Sequence, residues 1–247
     1  MHSPQLLEQH EKTGIVVFIH GYFGSPRQFD KLMSVVYEEG YSGLSLLLPG
    51  HGSTTKEFSN GTMEGWQNHV DEEVERLSKS YDRIILAGHS MGCLLAINAA
   101  VMYKEHVCGL FLLYCPLKVS YFNIASIKVR LKQLFYKKTH PVKVAYHNFR
   151  SVPLSPDLLW RNVKPAIELR KLISVTKNEL HNIRVPITAV FSESDEIVSM
   201  NSLKMLEMGA TNTSVKSVVI TDSLHAYHPE HEQVLIGNAL RELLCTP

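Results

Sequence analysis

Residues 84–92 read Ile-Ile-Leu-Ala-Gly-His-Ser-Met-Gly, and this stretch constrains the fold more than any other in the chain. The apolar run at its start fits a strand buried on both faces. Gly88-His89-Ser90-Met91-Gly92 follows, and a helix-forming run over 93–102 comes after it. A serine with glycine two residues away on either side, set between strand and helix, marks a sharp and strained turn. Side chains at 88 and 92 would meet neighbouring backbone. The turn lifts the Ser90 hydroxyl out of the sheet and aims the N-terminus of the next helix at it. Backbone N–H groups there can hold a developing oxyanion.

The rest of the chain supplies the sheet that such a turn needs. Strands are predicted at 15–19, 42–48, 84–87, 107–113, 185–191 and 215–220. Helices are predicted over 26–39, 63–81 (Trp66, Val70, Val74 and Leu77 on one stripe), 93–102, about 202–208 and about 230–244. Alternation of this kind implies a doubly wound, mostly parallel α/β sheet. The pattern breaks after the strand that follows the Ser90 helix. There the segment 117–181 reads as helical and amphipathic, with apolar groups at Leu131, Leu134, Phe135 and Tyr136, at Leu154, Leu158, Leu159 and Trp160, and at Leu169, Leu172 and Ile173. We read 1–116 and 182–247 as the core and 117–181 as an inserted helical cap. A cap at this place would lie over the C-terminal ends of the strands.

Net charge is +1 over 247 residues, but it is unevenly spread. Residues 117–182 carry 13 Lys and Arg against 3 Asp and Glu, so the remainder is acidic. Two readings stay open for this surplus. It forms solvated faces of cap helices, or it meets anionic lipid or an anionic substrate. No apolar run approaches the ~20 residues that span a membrane, and residues 1–14 show no apolar signal core. Cys93, Cys108, Cys115 and Cys245 have no metal-ligand spacing; the expectation is buried thiols in a reducing cytoplasm.

A serine hydroxyl needs a base within hydrogen-bond reach, and the base needs an orienting acid. Asp195 is the acid expected, in a polar loop after the strand ending at Phe191, with Glu193 and Glu196 as its rivals. His225, 30 residues on and after the last strand, is the base expected, with His228 and His231 nearby. Two backbone N–H groups suit the oxyanion: Met91, just after the nucleophile, and Tyr22 in the loop His20-Gly21-Tyr22-Phe23-Gly24-Ser25, with Phe23 second. His20 and His51 are expected to fix their loops by hydrogen bonding.

The chain resembles α/β-hydrolases of the bacterial carboxylesterase and monoacylglycerol-lipase type. The resemblance rests on Phe18-Ile19-His20-Gly21-Tyr22-Phe23-Gly24, Pro49-Gly50-His51-Gly52, Gly88-His89-Ser90-Met91-Gly92, Asp195-Glu196-Ile197-Val198 and His225, and it covers the chain outside the cap. It implies an α/β-hydrolase fold with Ser90 as nucleophile, Asp195 and His225 as its partners, and Tyr22 and Met91 as oxyanion donors. The chain departs from the pattern at Cys93, where a second glycine is usual, and at Ser192, where a glycine usually precedes the acid. The activity implied is hydrolysis of short- to medium-chain carboxylic esters through an acyl-enzyme. Acyl transfer, thioester hydrolysis and carbon–carbon bond hydrolysis use the same fold and stay open. A non-catalytic binding protein is the remote alternative, against which the complete Ser, Asp and His set argues. The serine itself speaks against haloalkane dehalogenase and epoxide hydrolase chemistry. No metal, cofactor or nucleic acid is expected, the partner is a small ester, and oligomeric state is open.

Overall fold

The computed structural model describes residues 2–9, 14–119 and 136–246. Leu131, Leu134 and Phe135 of the predicted cap group lie outside them. Seven strands form one sheet: β1 (Gln5–Leu7), β2 (Ile15–Ile19), β3 (Ser42–Ser45), β4 (Ile84–His89), β5 (Val107–Leu113), β6 (Ile187–Ser192) and β7 (Val215–Ile220). Their order is β1-β3-β2-β4-β5-β6-β7, with only β1 antiparallel to its neighbour. β2 and β4 are buried throughout, as expected of central parallel strands covered on both faces.

Among the described residues, α1 (Asp30–Glu38) and α9 (Glu230–Leu244) pair on one face of the sheet. The other is covered by α4 (Met91–Met102) and α3 (Met63–Ser78), with α7 (Val163–Glu179) packed on these two helices. α4 is apolar on every side because it lies between the sheet and the two helices outside it. α3 buries the predicted stripe Trp66, Val70, Val74 and Leu77, and its first turn is capped by the Thr62 hydroxyl, which accepts from Gly65 N–H at 3.0 Å. Leu169, Leu172 and Ile173 of α7 are likewise buried.

The remaining helical pieces are α2 (Thr55–Phe58), α5 (Pro141–Phe149), α6 (Leu158–Arg161) and α8 (Asn201–Gly209). The predicted helix over 26–39 opens as a 3-10 turn at Pro26–Phe29 before α1 begins. The predicted strand at 42–48 stops at Ser45, although Leu46 N–H still donates to Phe18 O. Of the four cysteines, Cys93 and Cys115 are buried, Cys108 is half-buried and Cys245 is exposed, so the expectation of uniformly buried thiols is corrected at the chain's end; all four are free.

The chain leaves β2 toward β3 on one side and returns to β4 on the other. Such a reversal of strand order opens a crevice at the carboxyl edge of the sheet. The loops after β2, β4, β6 and β7 all rise from that edge.

Candidate active site

Ser90 stands at the end of β4 with φ 51° and ψ −120°, the left-handed region that a serine occupies only when its surroundings impose it. Its N–H donates to Leu113 O at 2.9 Å, and its carbonyl accepts from Cys93 N–H at 2.9 Å. The glycines on either side are sterically required. A Cβ on Gly88 would lie 2.4 Å from Cys93 N, and one on Gly92 would lie 1.9 Å from Ile19 O. Gly21 comes close from the neighbouring loop: a Cβ there would sit 3.1 Å from the Ser90 Cβ. Cys93 fits its position, with a buried thiol that donates toward Gly88 O and Leu113 O.

The β6 and β7 loops bring Asp195 and His225 together. His225 Nδ1–H donates to Asp195 Oδ2 at 2.8 Å, and both side chains are almost wholly buried. The other carboxylate oxygen of Asp195 accepts from Ile197 N–H at 2.7 Å and Val198 N–H at 2.8 Å, which fixes its plane. Burial pulls the His225 imidazole down, but Asp195, by charge and hydrogen bond, and Glu196, by charge, outweigh it and leave its pKa raised. Its ring lies 4.8 Å from that of His89, which places His225 beside the turn. His89 Nε2–H donates to His225 O at 2.9 Å, and burial holds this imidazole well below its ordinary pKa, so it is neutral.

The rivals have other places. Glu193 is exposed. Glu196 is buried, accepts from His225 N–H at 3.0 Å and accepts from the Tyr146 hydroxyl. His228 Nδ1 bonds the Tyr114 hydroxyl at 3.0 Å, and burial lowers its pKa to about 4. His231 is exposed beside Asp222 at 3.2 Å. Asp222, His231 and Glu232 come within reach of one another. Glu232, however, is committed to the chain before His225: it accepts from Thr221 N–H at 2.7 Å, Asp222 N–H at 2.9 Å and the Ser223 hydroxyl at 2.5 Å.

The loop after β2 is held as expected. His20 Nε2 accepts from Leu48 N–H at 3.1 Å, so its proton is on Nδ1, which donates to Gly21 O at 2.9 Å. Gly24 N–H donates to the same carbonyl at 2.9 Å. The carbonyl and N–H of a trans peptide point in opposite directions. Fixing Gly21 O therefore fixes the direction of Tyr22 N–H. His51 Nε2 binds Tyr22 O at 2.6 Å and steadies the next peptide. Met91 opens α4, so its N–H has no partner within the helix.

Residues between β5 and β6 grip this loop. Ser151 N–H donates to Phe23 O at 2.9 Å, the Ser151 hydroxyl donates to Gly24 O at 2.5 Å, and the Ser25 hydroxyl reaches Asn148 O at 3.3 Å. The Tyr22 hydroxyl donates to Asn162 Oδ1 at 2.6 Å. Glu232, Tyr146 and Ser151 escape the sequence reading as parts of the site, and Glu196 enters it only as a rival acid. A carboxylate next to the expected acid, in a run turning apolar at Ile197 and Val198, is the one available signal for Glu196. The others act across more distant stretches of chain.

A cavity of about 480 Å³ adjoins the turn and the His225 loop. Its walls include Phe29, Leu32, Leu113, Val144, Phe149 and Ile236, and His89 and His228 border it.

Comparison with known proteins agrees with this architecture. The family model described as serine aminopeptidase, S33, matches residues 10–232. The thermostable monoacylglycerol lipase of Bacillus sp. (strain H-257) is 21% identical over 238 residues, covering 90% of this chain and 86% of the relative. A structure from the work on LipS and LipT, two metagenome-derived lipolytic enzymes, superposes with a TM-score of 0.73 at 18% identity, covering 99% of this chain and 98% of that one. The monoacylglycerol lipase of Paleococcus ferrophilus gives a TM-score of 0.68 at 16% identity, with 98% and 97% covered. At these identities the structural likeness shows the α/β-hydrolase fold.

Proposed function

The chain belongs to the serine aminopeptidase S33 family of α/β-hydrolases, and from that premise we propose that it is a serine carboxylic-ester hydrolase acting on short- to medium-chain esters, monoacylglycerols among them. The observation that carries the reading is the buried Asp195–His225 pair set beside a strained Ser90 turn. Ser90 Oγ attacks the ester carbonyl while His225 Nε2 takes its proton. The oxyanion is received by Tyr22 N–H and Met91 N–H. His225 then gives the proton to the departing alcohol, leaving an acyl group on Ser90. Water, deprotonated by His225, attacks this acyl-enzyme, and the acid leaves as Ser90 regains its proton. Asp195 stays ionised and orients the imidazole.

The apolar cavity beside the turn supports a hydrocarbon chain as part of the substrate. Every step uses side chains and backbone already present, so the mechanism calls on no metal or cofactor. Four free thiols fit a reducing, cytoplasmic setting, and no helix of the described residues is long and apolar enough to cross a membrane.

A fluorophosphonate probe and a panel of p-nitrophenyl esters of increasing chain length test the reading. Wild-type protein should be labelled at Ser90 and should turn over the shorter esters. Ser90→Ala should abolish labelling and cut turnover by ~10⁴-fold or more with folding retained. Activity of the alanine variant within about tenfold of wild type would overturn it.

A further inference from the structure

Glu196 presents an unusual economy. It is 3% exposed, yet no ion pair reaches it among the described residues. Among the described residues its carboxylate has two hydrogen bonds: Oε2 accepts from His225 N–H at 3.0 Å, and Oε1 accepts from the Tyr146 hydroxyl. Burying a carboxylate without a cation is costly, and a neutral amide could meet both partners without that penalty. A buried charge kept in such a place therefore asks what the charge itself does.

Two features answer. First, Glu196 lies against the main chain of the residue whose side chain must become positive during the reaction. The groups facing His225 are Asp195 and Glu196 from the β6 loop, His89 from the end of β4, Tyr114 from the end of β5 and His228 from its own loop. Burial holds both histidines neutral and pushes the Tyr114 phenol up, so the two carboxylates are the charges that meet the imidazole. Second, Tyr146 belongs to α5 of the inserted segment, and the residue pair that ends this stretch, Arg150 and Ser151, leads straight into the loop after β2 through Ser151. The C-terminal half of this helix and the residues just after it thus touch the His225 loop through Tyr146 and the loop after β2 through Asn148 and Ser151.

We propose that Glu196 is a positioning residue, through which Tyr146 of the inserted helix α5 holds the main chain of His225 and through which a second negative charge supports the imidazolium formed in each turnover. This rests on the ester-hydrolase reading for its kinetic consequences, but the juxtaposition of Tyr146, Glu196 and His225 stands apart from it.

Three variants in the full chain test it. In Glu196→Gln the amide oxygen can accept from His225 N–H while its NH₂ donates to the Tyr146 oxygen, so contacts persist and the charge is gone. The acid limb of kcat/KM should move to lower pH by about half a unit, and kcat should fall roughly three- to tenfold with KM little changed. Glu196→Ala should lose about tenfold more in kcat, since it also frees the His225 main chain. Tyr146→Phe should lower kcat about threefold in the parent and leave Glu196→Ala unaltered, because the two act through one contact. Histidine NMR titration of His225 in wild type and Glu196→Gln should show the same downward displacement whether or not any ester is turned over. Absence of fluorophosphonate labelling in wild type counts against the ester-hydrolase reading alone. An unmoved His225 titration in Glu196→Gln, or a Tyr146→Phe effect that multiplies fully with Glu196→Ala, overturns the present proposal.

Discussion

Asp195 and Glu193 differ by two positions and by everything that chemistry needs. Asp195 has one oxygen on His225 Nδ1 and the other on two backbone N–H groups, whereas Glu193 is exposed. Asp195→Asn should therefore lower kcat by roughly 10²–10⁴, while Glu193→Gln should cost under tenfold. The pH profile follows from the same contacts. Burial favours neutral His225, but Asp195 and Glu196 together raise its pKa above the ordinary value. A base must be neutral to accept a proton, so kcat/KM should rise with pH through a midpoint above 6.5. Asp195→Asn removes a positive contribution to that pKa and should bring the midpoint down. A wild-type midpoint below 6.5, from ester hydrolysis followed across pH, would contradict this. At this scale the pairing of Asp195 with His225 was legible because chain order and strand-end placement leave few alternatives. Glu196 was legible only as a rival acid. Its actual partners are a backbone N–H and a tyrosine 50 residues away, and no spacing rule reports a contact of that kind.

At the scale of elements, the turn that carries Ser90 depends on the absence of side chains. A Cβ on Gly92 would overlap Ile19 O, which is backbone of the adjacent central strand and cannot swing aside. Gly92→Ala should destabilise the protein by about 3 kcal/mol or more, read as a lower midpoint in urea unfolding. Gly40, at φ 79° with open space around it, offers the contrast: alanine there meets backbone strain but no collision, so the loss should be smaller. Unchanged stability of Gly92→Ala would mean that α4 is not held against β2 as described. The same physics decides which elements could be read in advance. β2, β4 and β5 are sandwiched between helices, so they appear as unbroken apolar runs. β1 has three residues, lies at the sheet edge and is largely exposed, so neither period nor apolarity announces it. α2 is one turn long and held by the Thr54 cap, too short for a stripe to repeat. Pro26 starts the helical region but lacks an N–H, and the first turn tightens to 3-10 before α1 proceeds.

At the scale of the molecule, the stretch between β5 and β6 combines cations with apolar side chains left exposed. Leu154, Leu159 and Trp160 are 76%, 82% and 64% exposed, and Val163 is exposed as well. Sequence grouped Leu154, Leu158, Leu159 and Trp160 as apolar, but a local pattern does not report whether a neighbour exists to bury them. Lys137 and Lys138 are exposed on the same segment, where the basic surplus lies. Exposed apolar side chains on a stretch rich in lysine and arginine suit the boundary of an anionic bilayer: apolar groups enter the interface, and each nearby cation adds about 1 kcal/mol within a Debye length. The protein should therefore co-sediment with phosphatidylserine-containing vesicles at low salt. Binding should weaken as salt is raised and on replacing Lys137→Glu together with Lys138→Glu. Leu159→Ala with Trp160→Ala should reduce binding without altering its salt dependence, because it removes inserted surface and not charge. Equal binding to neutral and anionic vesicles, or none at low salt, would assign the surplus charge to the solvated faces of the segment instead.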